Sequence, residues 1–120
     1  MSKVLLVEDS VAEVEKMTSY LQKRGFAVFG VKSAEEAQLR VKQQKPDLIL
    51  LDIILPGQSG FELCRKLKND PATKSIPIVI CSTKNTDVDK TWGNMSGADA
   101  YLTKPIDEAT LVETINQFIK

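Results

Sequence analysis

Residues 46 to 60 read Pro-Asp-Leu-Ile-Leu-Leu-Asp-Ile-Ile-Leu-Pro-Gly-Gln-Ser-Gly. The apolar run from Leu48 to Leu51 ends abruptly in a carboxylate, Asp52, and Pro56, Gly57 and Gly60 then break the strand and lead into a helical pattern. A short continuous apolar run bounded by turn signals reads as a strand buried on both faces. Asp52 is thereby placed at the carboxyl end of a central strand, facing a loop, where open α/β sheets carry their chemistry.

Working outward, the same pattern recurs. Val4 to Val7 is an apolar strand closed by Glu8-Asp9, and Ser10 with Glu13 has the form of a capping box opening a helix lined by Val14, Met17 or Thr18, and Leu21. Ala27 to Val31 is a less apolar strand, expected at an edge. Ser33 with Glu36 repeats the box before a helix lined by Ala34, Ala37 and Val41. Beyond Asp52, Ser59 and Glu62 offer a third box, with Phe61, Cys64 and Leu67 at helical spacing. Ile78 to Cys81 is another buried strand ending at Ser82-Thr83. A more polar helix follows over about Asp87 to Ser96 and stops at Gly97. Ala100 to Leu102 is a last short strand ending in Thr103-Lys104-Pro105, and Asp107 caps a final helix striped by Leu111, Ile115, Phe118 and Ile119.

Five strands alternating with five helices predict a doubly wound α/β fold, a parallel sheet with helices on both faces, in one domain over residues 1–120. Right-handed crossovers bring every strand's carboxyl end to one rim, which collects Glu8, Asp9, Asp52, Ser82 and Lys104. Crowded carboxylates raise the cost of ionising one another, and Mg²⁺ suits an oxygen-only site of one or two carboxylates plus a phosphate. Asp52 can act as a nucleophile toward phosphorus, Lys104 supplies positive charge and Ser82 a hydroxyl donor.

Composition excludes other classes. The chain has 120 residues with 16 basic and 16 acidic side chains, the basic ones scattered, so no stripe points to nucleic acid or an anionic membrane. The absence of histidine removes His-based catalysis and His ligation. Cys64 and Cys81 fit no metal spacing and read as reduced core residues of a cytoplasmic protein. Only one lysine and a run of four apolar residues, Val4 to Val7, precede Glu8, which is no signal-peptide pattern, and no apolar run approaches the ~20 residues of a membrane span.

Val-Glu-Asp-Ser at 7–10, Asp52 with Pro56 and Gly60, Ser82-Thr83, and Tyr101 with Lys104-Pro105 resemble, in order and interval, the receiver domain of two-component response regulators. The resemblance spans the chain and implies the flavodoxin-like, CheY-like strand order 2-1-3-4-5. It implies Asp52 as phosphoacceptor, Mg²⁺ held by Glu8, Asp9, Asp52 and the Ile54 backbone carbonyl, Lys104 on the acyl phosphate, Ser82 donating to it, and Tyr101 as an aromatic switch. It also implies a cis Lys104–Pro105 peptide. Its partners would be a sensor histidine kinase and a downstream protein met by the face of the fourth helix, fifth strand and fifth helix (Trp92, Met95, Tyr101). The chain would catalyse only its own phosphorylation and dephosphorylation, as a monomer without membrane insertion.

Glu8 stands where many members have aspartate, Ser82 where threonine is common, and Gln58 where methionine is frequent. Ile54 and Lys84, each two residues past a site residue, would flank the phosphate and influence its lifetime. Trp92 admits two readings, a ring packed partly on the core or an exposed anchor. The stretch from Thr86 to Leu111 resembles PilH-type regulators of type IV pilus motility, and with no effector segment after residue 120 the expectation is a stand-alone regulator. Two other classes compete. A flavodoxin-like nucleotide binder would need a phosphate-cradling loop where Glu8-Asp9-Ser10 is acidic, and a phosphorylation-independent pseudo-receiver typically lacks one of the acidic or lysine positions, all present here.

Overall fold

The computed structural model describes residues 2–119. The elements are β1 (Lys3–Val7), α1 (Val11–Gln22), β2 (Ala27–Val31), α2 (Ala34–Gln43), β3 (Leu48–Leu51), α3 (Gly60–Asn69), β4 (Ile78–Ser82), α4 (Asp87–Met95), β5 (Ala100–Thr103) and α5 (Glu108–Asn116). All strand pairs are parallel, in the order β2-β1-β3-β4-β5. The less apolar strands β2 and β5 form the two edges, and every residue of β3 and β4 is buried.

The period of two along each strand divides the core into two layers. Leu5, Val7, Ile49, Leu51 and Ile78 face one side, where Ala34, Ala37 and Val41 of α2 and Leu63, Cys64 and Leu67 of α3 cover them. Val4, Leu6, Leu48, Leu50, Val79 and Cys81 face the other, under Met17 and Leu21 of α1 and Leu111 and Ile115 of α5. Each of these larger aliphatic side chains contributes ~1.5–3 kcal/mol by leaving water, so the three central strands hold much of the fold's stability.

Local signals resolve as follows. Ser10, Ser33 and Ser59 each accept the backbone N–H of the residue three further on, but none closes a full box. Glu36 instead accepts from the Lys32 N–H, and Glu62 reaches the Gln58 amide. The full reciprocal box forms at Thr86 and Asp89, where α4 begins. On α3, Leu63 replaces the expected Phe61 on the inner face, because the buried positions are Gly60, Leu63, Cys64 and Leu67, spaced i, i+3, i+4, i+7. Met17, not Thr18, completes the α1 face. Helix α5 ends at Asn116, so Phe118 and Ile119 pack against the core from the following turn.

Gly60 ties α3 to the acceptor strand. Its N–H donates to the Ile53 carbonyl at 2.8 Å. A Cβ there would stand 2.3 Å from the Asp52 carbonyl oxygen and 2.7 Å from the Ile53 Cα, both backbone atoms that cannot swing aside. Gly60→Ala should therefore lower stability by about 3 kcal/mol, the upper end of overpacking costs. Urea denaturation checks this, and a loss below about 1 kcal/mol would mean that the start of α3 can back away freely.

Candidate functional site

Glu8, Asp52 and Lys104 each lie one step past a strand end and are fixed by bonds that continue the sheet's ladder, Ser82 is the last residue of β4, and Asp9 lies two residues past β1. The Glu8 N–H donates to Val31 at 3.0 Å, the Asp52 N–H to Val7 at 3.0 Å and the Lys104 N–H to Ser82 at 2.9 Å. Side chains from β1, β3, β4 and β5 thus converge without depending on a mobile loop. Asp9 is exposed, while Glu8, Asp52 and Ser82 are buried.

Lys104 lies between two carboxylates. Its ammonium donates to Glu8 Oε1 and, at 3.2 Å, to Asp52 Oδ2, with its side chain only 8% exposed. The second Asp52 oxygen accepts the Ile54 N–H at 3.2 Å, and the second Glu8 oxygen accepts the Ser10 N–H at 3.2 Å. Burial pushes the Glu8 carboxyl above its ordinary value, a shift that its bond to Lys104 opposes. Burial alone would lower Lys104, but the bond to Glu8 and the charge of Asp52 outweigh it and hold the lysine above its usual range. Lys104 is therefore a permanent cation at neutral pH.

Oxygens of Glu8, Asp9 and Asp52 lie within 4.8 Å of one another. Three carboxylates against one ammonium leave two negative charges uncompensated, the charge of one divalent cation. The donor set is oxygen only, and exposed Asp9 leaves water access, as Mg²⁺ requires when it keeps several waters. The residues present therefore fit that ion. Among the described residues no buried side-chain polar atom lacks a hydrogen-bond partner, so the site is internally satisfied as it stands.

Ser82 is fully buried and its hydroxyl accepts the Lys84 N–H at 3.2 Å. The Lys84 carbonyl in turn accepts the Tyr101 hydroxyl. The Lys104–Pro105 peptide is cis. Ile54 is 54% exposed beside Asp52. The two cysteines take no part; burial pushes the Cys81 thiol up to about 12 and raises Cys64 as well, which leaves both as inert core residues.

Trp92 is 53% exposed and Met95 72%. With Val88 they form an i, i+4, i+7 stripe on α4 that turns toward α3, where the Trp92 ring lies 6.5 Å from that of Phe61. A groove of about 570 Å³ separates the two helices, its rim bearing Glu62, Arg65 and Asp89. Tyr101 lies elsewhere, against Gly93 on the buried side of α4. The three residues expected on one face thus divide between two. Sequence reading missed the pairing of Glu8 with Lys104, since nothing in spacing says which carboxylate a lysine 96 residues away will meet.

The family model described as the response regulator receiver domain matches residues 4–116. Protein PilH of Pseudomonas aeruginosa is 43% identical over 116 residues, covering 97% of this chain and 96% of that protein. Among solved structures, a putative response regulator from Chloroflexus aurantiacus superposes with a TM-score of 0.94 at 30% identity, over 98% of this chain and 96% of that one. The receiver domain of the sensor histidine kinase PA1611 from Pseudomonas aeruginosa, solved with a magnesium ion coordinated in its active-site cleft, gives 0.91 at 25% identity over 98% and 97%. With its strand order and its acidic rim, this chain belongs to the response regulator receiver domain family.

Proposed function

We propose that the chain accepts a phosphoryl group on Asp52 from a sensor histidine kinase and signals through phosphorylation-dependent binding of another protein. The observation that carries this reading is Asp52 itself, a strand-end carboxylate beside Lys104 and within reach of two further carboxylates. An Asp52 oxygen attacks phosphorus, the bond from phosphorus to the donor's imidazole nitrogen breaks, and its electron pair leaves with the nitrogen, which takes up a proton. Lys104 moves from carboxylate oxygen toward the phosphoryl oxygens, and the Ser82 hydroxyl donates to one of them. Mg²⁺ held by Glu8, Asp9, Asp52 and the Ile54 carbonyl would neutralise charge on the transferred group, and the related structure with magnesium in its cleft supports this assignment. Water later cleaves the acyl phosphate and returns the carboxylate.

The new dianion favours whichever arrangement of Ser82, Lys84 and Tyr101 binds it better, which is how a local charge becomes a surface signal. The exposed stripe of α4 and, on the helix's other side, the surface of β5 and α5 are assigned as the two reporting faces. Similarity to PilH-type proteins extends the proposal to type IV pilus motility, with the protein working as a cytoplasmic messenger or phosphate sink.

Incubation with a small acyl-phosphate donor should give one phosphoryl adduct by intact mass, dependent on Mg²⁺ and absent from Asp52→Asn. An adduct that persists in that variant would overturn the assignment. The apolar Ile54 side chain, exposed next to Asp52, is expected to hinder the hydrolytic water. Ile54→Asn should shorten the phosphoryl half-life about tenfold, or about 1.4 kcal/mol of barrier. An unchanged or longer half-life, followed by decay of the adduct mass, would sink that idea.

A further inference from the structure

Gly93 lies within the last turn of α4, where a glycine weakens a helix relative to alanine. Its backbone does not require it, since the positive-φ glycines are Gly25, Gly57 and Gly97. The reason lies outside the helix. A Cβ at position 93 would stand 2.8 Å from Tyr101 Cδ2, 3.2 Å from Tyr101 Cε2 and 3.5 Å from Ile80 Cδ1. The first distance is shorter than real carbon contacts, and the aromatic ring has no flexible end to bend away. The ring fills the space that any other residue at 93 would claim.

What the ring does there is visible at its far end. The Tyr101 hydroxyl donates to the Lys84 carbonyl, and the Lys84 N–H donates to Ser82 Oγ at 3.2 Å. Both polar backbone groups of Lys84 are thus held by side chains of neighbouring strands, β5 and β4. The segment between β4 and α4 has no other side-chain hydrogen bond to the sheet among the described residues. Fixing Lys84 fixes the direction from which its N–H meets the buried Ser82 hydroxyl, and so which lone pair is taken and where the hydroxyl's proton can point.

We propose that Gly93 is a positioning residue. Its missing side chain seats the Tyr101 ring, the seated hydroxyl holds Lys84, and Lys84 orients the Ser82 hydroxyl. The relevance of Ser82 rests on the phosphoacceptor reading above; the steric seat stands without it. A side chain at 93 displaces the ring toward the partly exposed rim and releases the Lys84 segment.

Thermal melts of wild type, Gly93→Ala, Tyr101→Ala and the double variant test the seat. Gly93→Ala should lower Tm when Tyr101 is present and raise it in the Tyr101→Ala background, where only alanine's better helix propensity remains. An equal rise in both backgrounds overturns the proposal. Should Gly93→Ala fail to fold alone, rescue by Tyr101→Ala carries the same meaning, and lack of rescue overturns it. NMR of the unphosphorylated protein supplies a readout that loss of packing alone would not give. The Lys84 amide resonance should move in Gly93→Ala in the same direction as in Tyr101→Phe, which removes only the hydroxyl. A Lys84 amide left at its wild-type position contradicts the proposed chain of contacts. Because these measurements need no phosphodonor, their failure is distinct from failure of Asp52 to take up a phosphoryl group.

Discussion

Glu8, Asp9 and Asp52 share one end of the sheet with the buried ammonium of Lys104, and their mutual repulsion sets the terms for everything around them. Burying ionised groups costs several kcal/mol each unless pairing and hydrogen bonds compensate. Here compensation is complete in hydrogen bonds but incomplete in charge. Both Glu8 oxygens and both Asp52 oxygens have donors, yet two negative charges remain over. A domain optimised for stability alone would not gather these groups. The twin apolar layers beneath them, above all the buried β1, β3 and β4, supply the stability that tolerates such a rim.

That same sheet explains why the imbalance can be used. Glu8, Asp52 and Lys104 stand on backbone bonds that continue the ladder past its last paired residues, so their approach is preorganised rather than reached by loop closure. Binding of opposite charge then needs little rearrangement on the acidic side. On the other flank, among the described residues, side chains hold the Lys84 backbone only through Ser82 and Tyr101. One side of the site is rigid and charged, the other hinged on two hydrogen bonds. Under the proposed function, a new dianion at Asp52 would act on the second through the first.

The parallel sheet, the position of Asp52 and the membership of the rim were legible because they follow from two strong periodic signals, whereas the strand order came only with the family resemblance. The run Leu48–Leu51 and the run Ile78 to Cys81 can only be central strands, and parallel connection puts their ends together. Less legible were features decided by competition between near-equal options. Three Ser-x-x-Glu patterns predicted reciprocal boxes, but Glu36 and Glu62 found partners elsewhere and the Ser10 N–H went to Glu8 instead of Glu13, while the shorter aspartate of Thr86-x-x-Asp89 closed one. Phe61 matched the helical period yet lost the inner face to Leu63, and its ring went to the groove beside Trp92. The pairing of Lys104 with Glu8, and the Lys68–Asp99 pair that ties α3 to the opposite end of the sheet, join residues far apart in sequence. Such contacts depend on side-chain reach in the finished fold, which no local pattern encodes.

The central claim is that one particular carboxylate of the three receives the phosphoryl group. Borohydride reduces an acyl phosphate to an alcohol, which would convert a phosphorylated aspartate into homoserine at that position and leave free carboxylates untouched. Peptide sequencing by mass spectrometry after Mg²⁺, a small acyl-phosphate donor and reduction should find homoserine at position 52 and nowhere else. Reduction product at Asp9, the corresponding longer alcohol at Glu8, or no product at any of the three would contradict the account.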